Sequence, residues 1–271
     1  MRNTIIQCEH WLRDEVAKAG ASGIILGLSG GIDSSVLAAL ARESLGKNGV
    51  LGVIMPCHSI NQDEDDARLL AEAVDVNFMR VDLSGVFDAL CENIASAPNM
   101  SNSHGEDVSS HVKSDMKARE DLSREDINLE LNSLVKSNMK ARLRMVTLYA
   151  IAQSKNLLVC GTSNKSEYET GYFTKYGDSG VDLMPLASFL KREIREMAKL
   201  LNVPERIITK APSAGLYDGQ TDEGDMGFTY ETLDEYLSSG KISDEKAKER
   251  IDVMRRRSEH KRKPIPIFKA N

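Results

Sequence analysis

Little in this chain points to secretion, a membrane or a stapled miniature fold. Its four cysteines among 271 residues, Cys8, Cys57, Cys91 and Cys160, are scattered without a metal-ligand spacing. Cys57 and Cys160 close apolar runs, which suits small buried hydrophobes better than disulfide partners or nucleophiles. No apolar run approaches the length of a membrane span, and the N-terminus has no signal-peptide pattern. The net charge of −6 gives no global reason to expect nucleic-acid binding. With 41% hydrophobic and 28% charged residues, the composition is that of an ordinary soluble protein with a sizeable core. The expectation is a cytoplasmic protein that handles small molecules, with neither membrane nor nucleic acid as partner.

Two common nucleotide fingerprints are missing as well. The chain has no Gly-x-x-x-x-Gly-Lys-Ser/Thr loop and no Gly-x-Gly-x-x-Gly turn. In their place stands Ile24-Ile25-Leu26-Gly27-Leu28-Ser29-Gly30-Gly31-Ile32-Asp33-Ser34-Ser35. The branched apolar run reads as a buried strand, and the residues from Ser34 read as a helix start. Adjacent glycines let a phosphate approach the backbone, the helix start offers free N–H groups, and Asp33 can hold a Mg²⁺ that bridges phosphate oxygens. The run resembles the Ser-Gly-Gly-x-Asp-Ser signature of the PP-loop, or N-type, ATP pyrophosphatases. Those enzymes cut ATP between its α and β phosphates and leave AMP on an acceptor.

Around this loop, strand-like and helix-like patterns alternate. Ile5, Ile6, Trp11, Leu12 and Val16 have helical spacing, as do Val36, Leu37 and Leu40. Val50 to Pro56, Asn77 to Val81 and Leu157 to Gly161 read as further strands. Asn61-Gln62-Asp63-Glu64 has the spacing of a capping box ahead of a helix with an apolar face at Ala67, Leu70, Ala71 and Val74. A long helix is expected from Leu129 to Lys155, a capped one from Thr229 to Leu237, and a charged one from Ser243 to Lys261. Together these predict an α/β fold, an open parallel Rossmann-like sheet with helices on both faces. One domain over residues 1–271 is expected. Two loops, near 96–126 and 212–227, read as mobile because they bury little or are glycine-rich. His104 to His111, with Glu106 and Asp107, reads as a solvated segment rather than a metal site.

A second group of residues follows the Leu157 strand. Ligands gather at the carboxyl ends of parallel strands, so Gly161-Thr162-Ser163-Asn164-Lys165-Ser166-Glu167 and the Gly30-Gly31 loop can face one crevice. Thr162 is then placed for a nucleotide hydroxyl or phosphate, and Glu167 to join Asp33 around Mg²⁺; a cap and a surface carboxylate are the plainer alternatives. Beyond it, Thr170 to Asp178 is dense in aromatic residues, lysine and glycine.

These segments occur with Asn138 to Met145, Lys210-Ala211-Pro212-Ser213-Ala214-Gly215-Leu216, Thr221-Asp222-Glu223 and Glu259-His260-Lys261-Arg262. In that order and at these spacings the chain resembles the ammonia-dependent NAD⁺ synthetases. The resemblance implies the adenine nucleotide α-hydrolase-like fold of that family. It implies ATP contacts at Gly27, Leu28, Ser29, Gly30, Gly31, Ile32, Asp33, Ser34, Thr162, Lys191 and Ser213, with Asp33 and Glu167 as Mg²⁺ ligands. It places Arg142, Lys175, Asp182, His260 and Lys261 against deamido-NAD⁺, and Asp33, Glu167 and Lys191 at the chemistry. Ser213 stands where many relatives have threonine and keeps the hydroxyl. Ala214-Gly215-Leu216 departs from the Ala-Asp-Leu of some members, so no carboxylate role is carried over there. The family is typically a homodimer.

The implied reaction amidates the nicotinate carboxylate of deamido-NAD⁺. The carboxylate attacks ATP, an acyl adenylate forms as pyrophosphate leaves, and ammonia displaces AMP. No covalent nucleophile is required, because alignment and charge stabilisation do the work. The length leaves no room for an amide-hydrolysing domain beside a synthetase, which favours free ammonia. A PP-loop enzyme acting on GMP precursors or tRNA, or a non-catalytic ATP-binding module, would be separated from this reading by its acceptor.

Overall fold

The computed structural model describes residues 1–59, 61–97, 131–213 and 221–270. Nearly all of the expected polar segment, with its histidines, and residues 214–220 of the second loop, Ala214-Gly215-Leu216 among them, lie outside these residues. The chain alternates as the sequence predicts. Helix α1 (Arg2–Lys18) leads to β1 (Gly23–Gly27), α2 (Ile32–Leu45), β2 (Val50–Ile54), α3 (Asn61–Ala73), β3 (Asn77–Arg80) and α4 (Ser84–Ala95). After the undescribed segment come α5 (Ser133–Lys155), β4 (Leu157–Val159), α6 (Lys165–Thr170) and α7 (Lys191–Leu200). Five shorter or peripheral helices close the described chain: α8 (Glu205–Ile208), α9 (Asp222–Met226), α10 (Tyr230–Ser239), α11 (Glu245–Arg257) and α12 (Glu259–Arg262).

All strand pairings are parallel, in the order β3-β2-β1-β4. Alternation along the central strands feeds two cores. Ile24, Leu26, Val50 and Ile54 face α1, α2, α3, α7 and α8, whereas Ile25, Val53 and Val159 face α4 and α5 through Phe87, Leu148 and Ala152. A third cluster, around Met226, Tyr230, Leu233 and Ile251, joins α9, α10 and α11. Asp234 ties that cluster to α6 and α7 by accepting bonds from the Ser166 hydroxyl (2.5 Å) and the Arg192 amide (2.8 Å).

Four local readings change. In α1 the buried stripe is Ile5, Leu12 and Val16, while Ile6 and Trp11 are exposed because they fall on the outer face. Asn61 is the first residue of α3 rather than its cap, and Glu64 turns instead to Arg68 (2.7 Å) and Arg80 (2.8 Å). The strand β4 stops at Val159, and Cys160 bridges to Leu183, whose segment extends that edge. Within the second irregular stretch, residues 222–226 form helix α9, held by the fully buried Met226.

Candidate active site

The phosphate-type loop connects β1 to α2 and fixes itself by short side-chain bonds. The Ser34 and Ser35 hydroxyls donate to the Gly31 carbonyl (3.0 and 2.8 Å), and the Ser29 and Ser34 hydroxyls lie 3.0 Å apart. Gly31 precedes α2 and supplies no side-chain cap, so the first-turn N–H groups keep their demand for an acceptor. Gly30 adopts φ +72°, and a Cβ there would strike the Asp63 carbonyl oxygen and the Asp66 side chain. The loop is thus pressed onto the first turn of α3 by a glycine that no other residue replaces without strain.

A cavity of about 840 Å³ opens above the carboxyl ends of β1, β2 and β4. Every residue from Gly27 to Ser34 except Gly30 lines it, together with Thr162, Glu167, Lys191 and Ser213. The two segments that sequence reading placed at strand ends therefore meet in one crevice.

At one end of the cavity, the first turns of five helices converge. Lys191, the first residue of α7 and 1% exposed, points its ammonium at Asp33 of α2 (2.6 Å) and Glu167 of α6 (3.1 Å). Asn164 caps α6 in a capping box with Glu167, and its Nδ2 donates to Asp33 Oδ1 and Glu167 Oε1, both at 2.8 Å. Tyr230 opens α10; its hydroxyl donates to Asp222 of α9 (2.9 Å), lies 3.3 Å from Glu167 Oε1, and its ring sits 4.7 Å from Lys191 Nζ. Tyr172 adds a bond to Asp225 at 2.8 Å.

Charge at this end is unbalanced: one ammonium faces the carboxylates of Asp33, Glu167 and Asp222. Burial, with Asp33 and Asp222 nearby, pushes the Glu167 carboxyl up to about 7 despite Lys191. Burial likewise raises Asp222. Burial works against the charge on Lys191, but Asp33 and Glu167 outweigh it and hold the ammonium above its ordinary range. Burial and the surrounding carboxylates lift Tyr230 far above a free phenol, so its hydroxyl serves as a donor. Such a cluster next to uncapped N–H groups fits a divalent cation carried in with phosphates. Magnesium is commonly held by one or two carboxylates plus phosphate oxygens, and Asp33 and Glu167 already converge on one point. Among the described residues, no group of three or more His, Cys, Asp or Glu side chains forms a self-sufficient metal site.

The residues that the resemblance assigns to the dinucleotide lie elsewhere. Arg142 donates to the Lys175 carbonyl (3.3 Å), Lys175 to the His260 carbonyl (2.9 Å), and Lys261 to the Gly171 (2.8 Å) and Phe173 (2.6 Å) carbonyls. These four form a basic rim where α12 meets the Thr170–Gly177 loop. Of them only Lys261 lines the cavity. Asp182 stands apart from that rim: it accepts from the Val159 amide (2.7 Å) and the Tyr149 hydroxyl (2.9 Å). Sequence reading assigned no site role to Asn164 or Tyr230, and Asp222 entered it only through the Thr221-Asp222-Glu223 run and its loop. Asn164 carried a local signal, its Asn-x-x-Glu spacing before a helix.

Known proteins resemble this chain in sequence and in fold. A family model described as NAD synthase matches residues 4–265. An NH₃-dependent NAD⁺ synthetase of Finegoldia magna is 45% identical over 95% of this chain and 92% of its own. A solved structure described as NMN synthetase from Francisella tularensis superposes with a TM-score of 0.83 at 34% identity, covering 98% of each chain. The NH₃-dependent NAD synthetase of Campylobacter jejuni gives a TM-score of 0.70 at 26% identity over 99% of this chain and 98% of that one.

Proposed function

The chain belongs to the NAD synthase family, and from that premise we propose how its cavity carries out the family's reaction. The enzyme is a ligase that amidates deamido-NAD⁺ to NAD⁺ with ammonia at the expense of ATP. The observation that carries the reading is the convergence of Asp33, Glu167 and Lys191 beside the uncapped start of α2.

In this reading the loop from Gly27 to Ser34, Thr162 and Ser213 orient the ATP phosphates and ribose. Asp33 and Glu167 would hold Mg²⁺, which would supply positive charge to neutralise the phosphates. Lys191 stays protonated and faces the departing pyrophosphate, and Asn164 and Tyr230 keep the carboxylates aimed. The acceptor carboxylate attacks the α-phosphorus, pyrophosphate leaves, and ammonia then displaces AMP from the acyl adenylate. Orientation of two bound reactants supplies on the order of 7–11 kcal/mol in such reactions, which suits a site without a covalent nucleophile. The rim of Arg142, Lys175, His260 and Lys261 receives the phosphates of the dinucleotide, with Asp182 as the assigned polar partner. We include a homodimer and a cytoplasmic location in the proposal. Exposed Leu134 and Val146 lie on α5, the helix that also carries Arg142, and offer apolar surface to a second copy. No described helix is long and apolar enough to cross a membrane.

A second reading concerns the acceptor alone. The Francisella likeness, and a rim that mostly stands outside the cavity, favour testing a carboxylated pyridine mononucleotide too. The experiment supplies ATP, Mg²⁺ and ammonium with deamido-NAD⁺ or nicotinate mononucleotide, and follows pyrophosphate and product. Equal amounts of pyrophosphate and NAD⁺, and none without acceptor, are expected. A higher kcat/KM for the mononucleotide would select the second reading, and no acceptor-dependent pyrophosphate would overturn both.

A further inference from the structure

The cavity has a second charged wall that none of these roles uses. Lys191 enters from the face of the sheet that carries α2 and α7, whereas α5 packs on the opposite face. From α5, Arg144 also lines the cavity. Its guanidinium donates to the Met55 carbonyl at 3.2 Å and to the Ser59 hydroxyl at 3.3 Å. Both are neutral acceptors at the long end of the hydrogen-bond range.

Arginines on the surface of this chain do better. Arg42, Arg68 and Arg80 each take a carboxylate, at 2.7–3.1 Å. Among the described residues Arg144 forms no ion pair, although it is the more desolvated group. The acidic groups that face it are committed elsewhere: Asp63 accepts from Lys210 (2.8 Å) and Asp178 from the Thr174 amide (2.7 Å). Cys57, the other group near it, has its thiol pushed up by burial and stays neutral. Arginine does not escape burial by losing its proton, so a charge here needs a partner that the described residues do not provide.

We propose that Arg144 is a substrate-binding residue that pairs with an anionic oxygen of one of the two reactants. The source is a non-bridging oxygen of the ATP α-phosphate or the carboxylate of the acceptor. This rests on the reaction assigned above. There the carboxylate oxygen bonds to the α-phosphorus while the bond to the bridging oxygen breaks and its electron pair leaves with pyrophosphate. Two anions must approach each other at that step. At the acidic end Lys191 is shared between Asp33 and Glu167 and is assigned to the departing pyrophosphate, so a second cation on the opposite wall is needed where the two anions meet. The planar fork of a guanidinium matches either oxyanion.

The test compares Arg144→Met and Arg144→Lys with the wild type. Steady-state kinetics are combined with melting shifts induced by Mg²⁺ with α,β-methylene-ATP, or by deamido-NAD⁺ alone. Arg144→Met is expected to lower kcat/KM by about 100-fold, the loss typical of one charge-stabilising donor, with Arg144→Lys recovering roughly tenfold of it. A diminished shift with the ATP analogue assigns the oxygen to phosphate, and a diminished shift with deamido-NAD⁺ assigns it to the carboxylate. Wild-type kcat/KM, or a rate loss with both ligand shifts intact and a lowered melting temperature of the free protein, would overturn the proposal. Should Arg144→Met fail to fold, Arg144→Lys alone must show a roughly tenfold loss with a diminished shift. Failure of the wild type to make NAD⁺ would count against the assigned reaction, while the melting shifts would still decide the role of Arg144.

Discussion

Lys191 and Lys175 both stand where sequence reading expected a lysine to meet a nucleotide, yet their surroundings differ in kind. Lys191 is almost wholly enclosed, between two carboxylates and the ring of Tyr230, and each partner comes from the start of a different helix. Lys175 bonds one carbonyl and lies 5.2 Å from the exposed ring of Tyr176. The first arrangement exists before any ligand arrives and leaves the lysine nowhere else to go. The second is a cation resting on a neutral acceptor, which an arriving phosphate displaces at small cost because a charged acceptor bonds it more strongly. On the proposed function, the centre aligns the reactants and the rim captures the dinucleotide.

The largest effect that can break this comparison is expected from Lys191→Met. Removing the ammonium leaves Asp33 and Glu167 facing each other with no internal counter-ion. Loss of one partner from a buried pair typically costs about 3–5 kcal/mol of stability, and loss of a charge-stabilising donor about 10²–10³ in rate. Urea unfolding and the rate of pyrophosphate release measure the two. Millimolar Mg²⁺ should raise the melting temperature of this variant more than that of the wild type, since the exposed need for a cation is greater. Equal Mg²⁺ shifts would mean that Asp33 and Glu167 are not the metal ligands.

Asn164→Ala comes next. It removes the cap of α6 and the one amide that bridges both carboxylates, but leaves the ammonium in place. Loss of a cap of this type costs about 1–2 kcal/mol, readable in urea unfolding. The rate should fall by roughly tenfold, less than for Lys191→Met, because the carboxylates lose aim rather than charge balance. A fall as large as that of Lys191→Met would show that Asn164 meets a reactant directly.

Asn164 also marks the limit of what the sequence discloses. The order of strands and helices was legible because period-two and period-3.6 patterns are local, and both cores follow from them. Asp33 and Glu167 were legible because each follows a strand end closely, and parallel sheets bring such ends together. Tyr230 carried no such mark, and Asp222 stood out only within the Thr221-Asp222-Glu223 run, with nothing to say what it meets. Their roles arise from α9 and α10 folding back over α6 and α7, a contact between distant segments. Arg144 lay in plain view in the Asn138–Met145 segment, but a charge on a long helix reads as solvated until the end of β2 is seen against it. Capping at Asn61 failed for the converse reason: the spacing was right, and Arg68 and Arg80 offered Glu64 stronger partners than a backbone amide.

The smallest effect, and the sharpest test of the contrast, is expected from Lys175→Ala. A half-buried side chain that bonds one carbonyl contributes little to the fold, so unfolding free energy should change by no more than about 0.5 kcal/mol. If the rim captures the dinucleotide, KM for deamido-NAD⁺ should rise roughly two- to fivefold, which is what one exposed ionic contact supplies. KM for ATP and kcat should stay unchanged, because nothing at the rim faces the bond that breaks. Nicotinate mononucleotide, with one phosphate fewer to hold, should lose less than deamido-NAD⁺ in the same variant. A loss of kcat comparable to that of Lys191→Met would place Lys175 at the reacting atoms and erase the division between a centre that aligns and a rim that gathers.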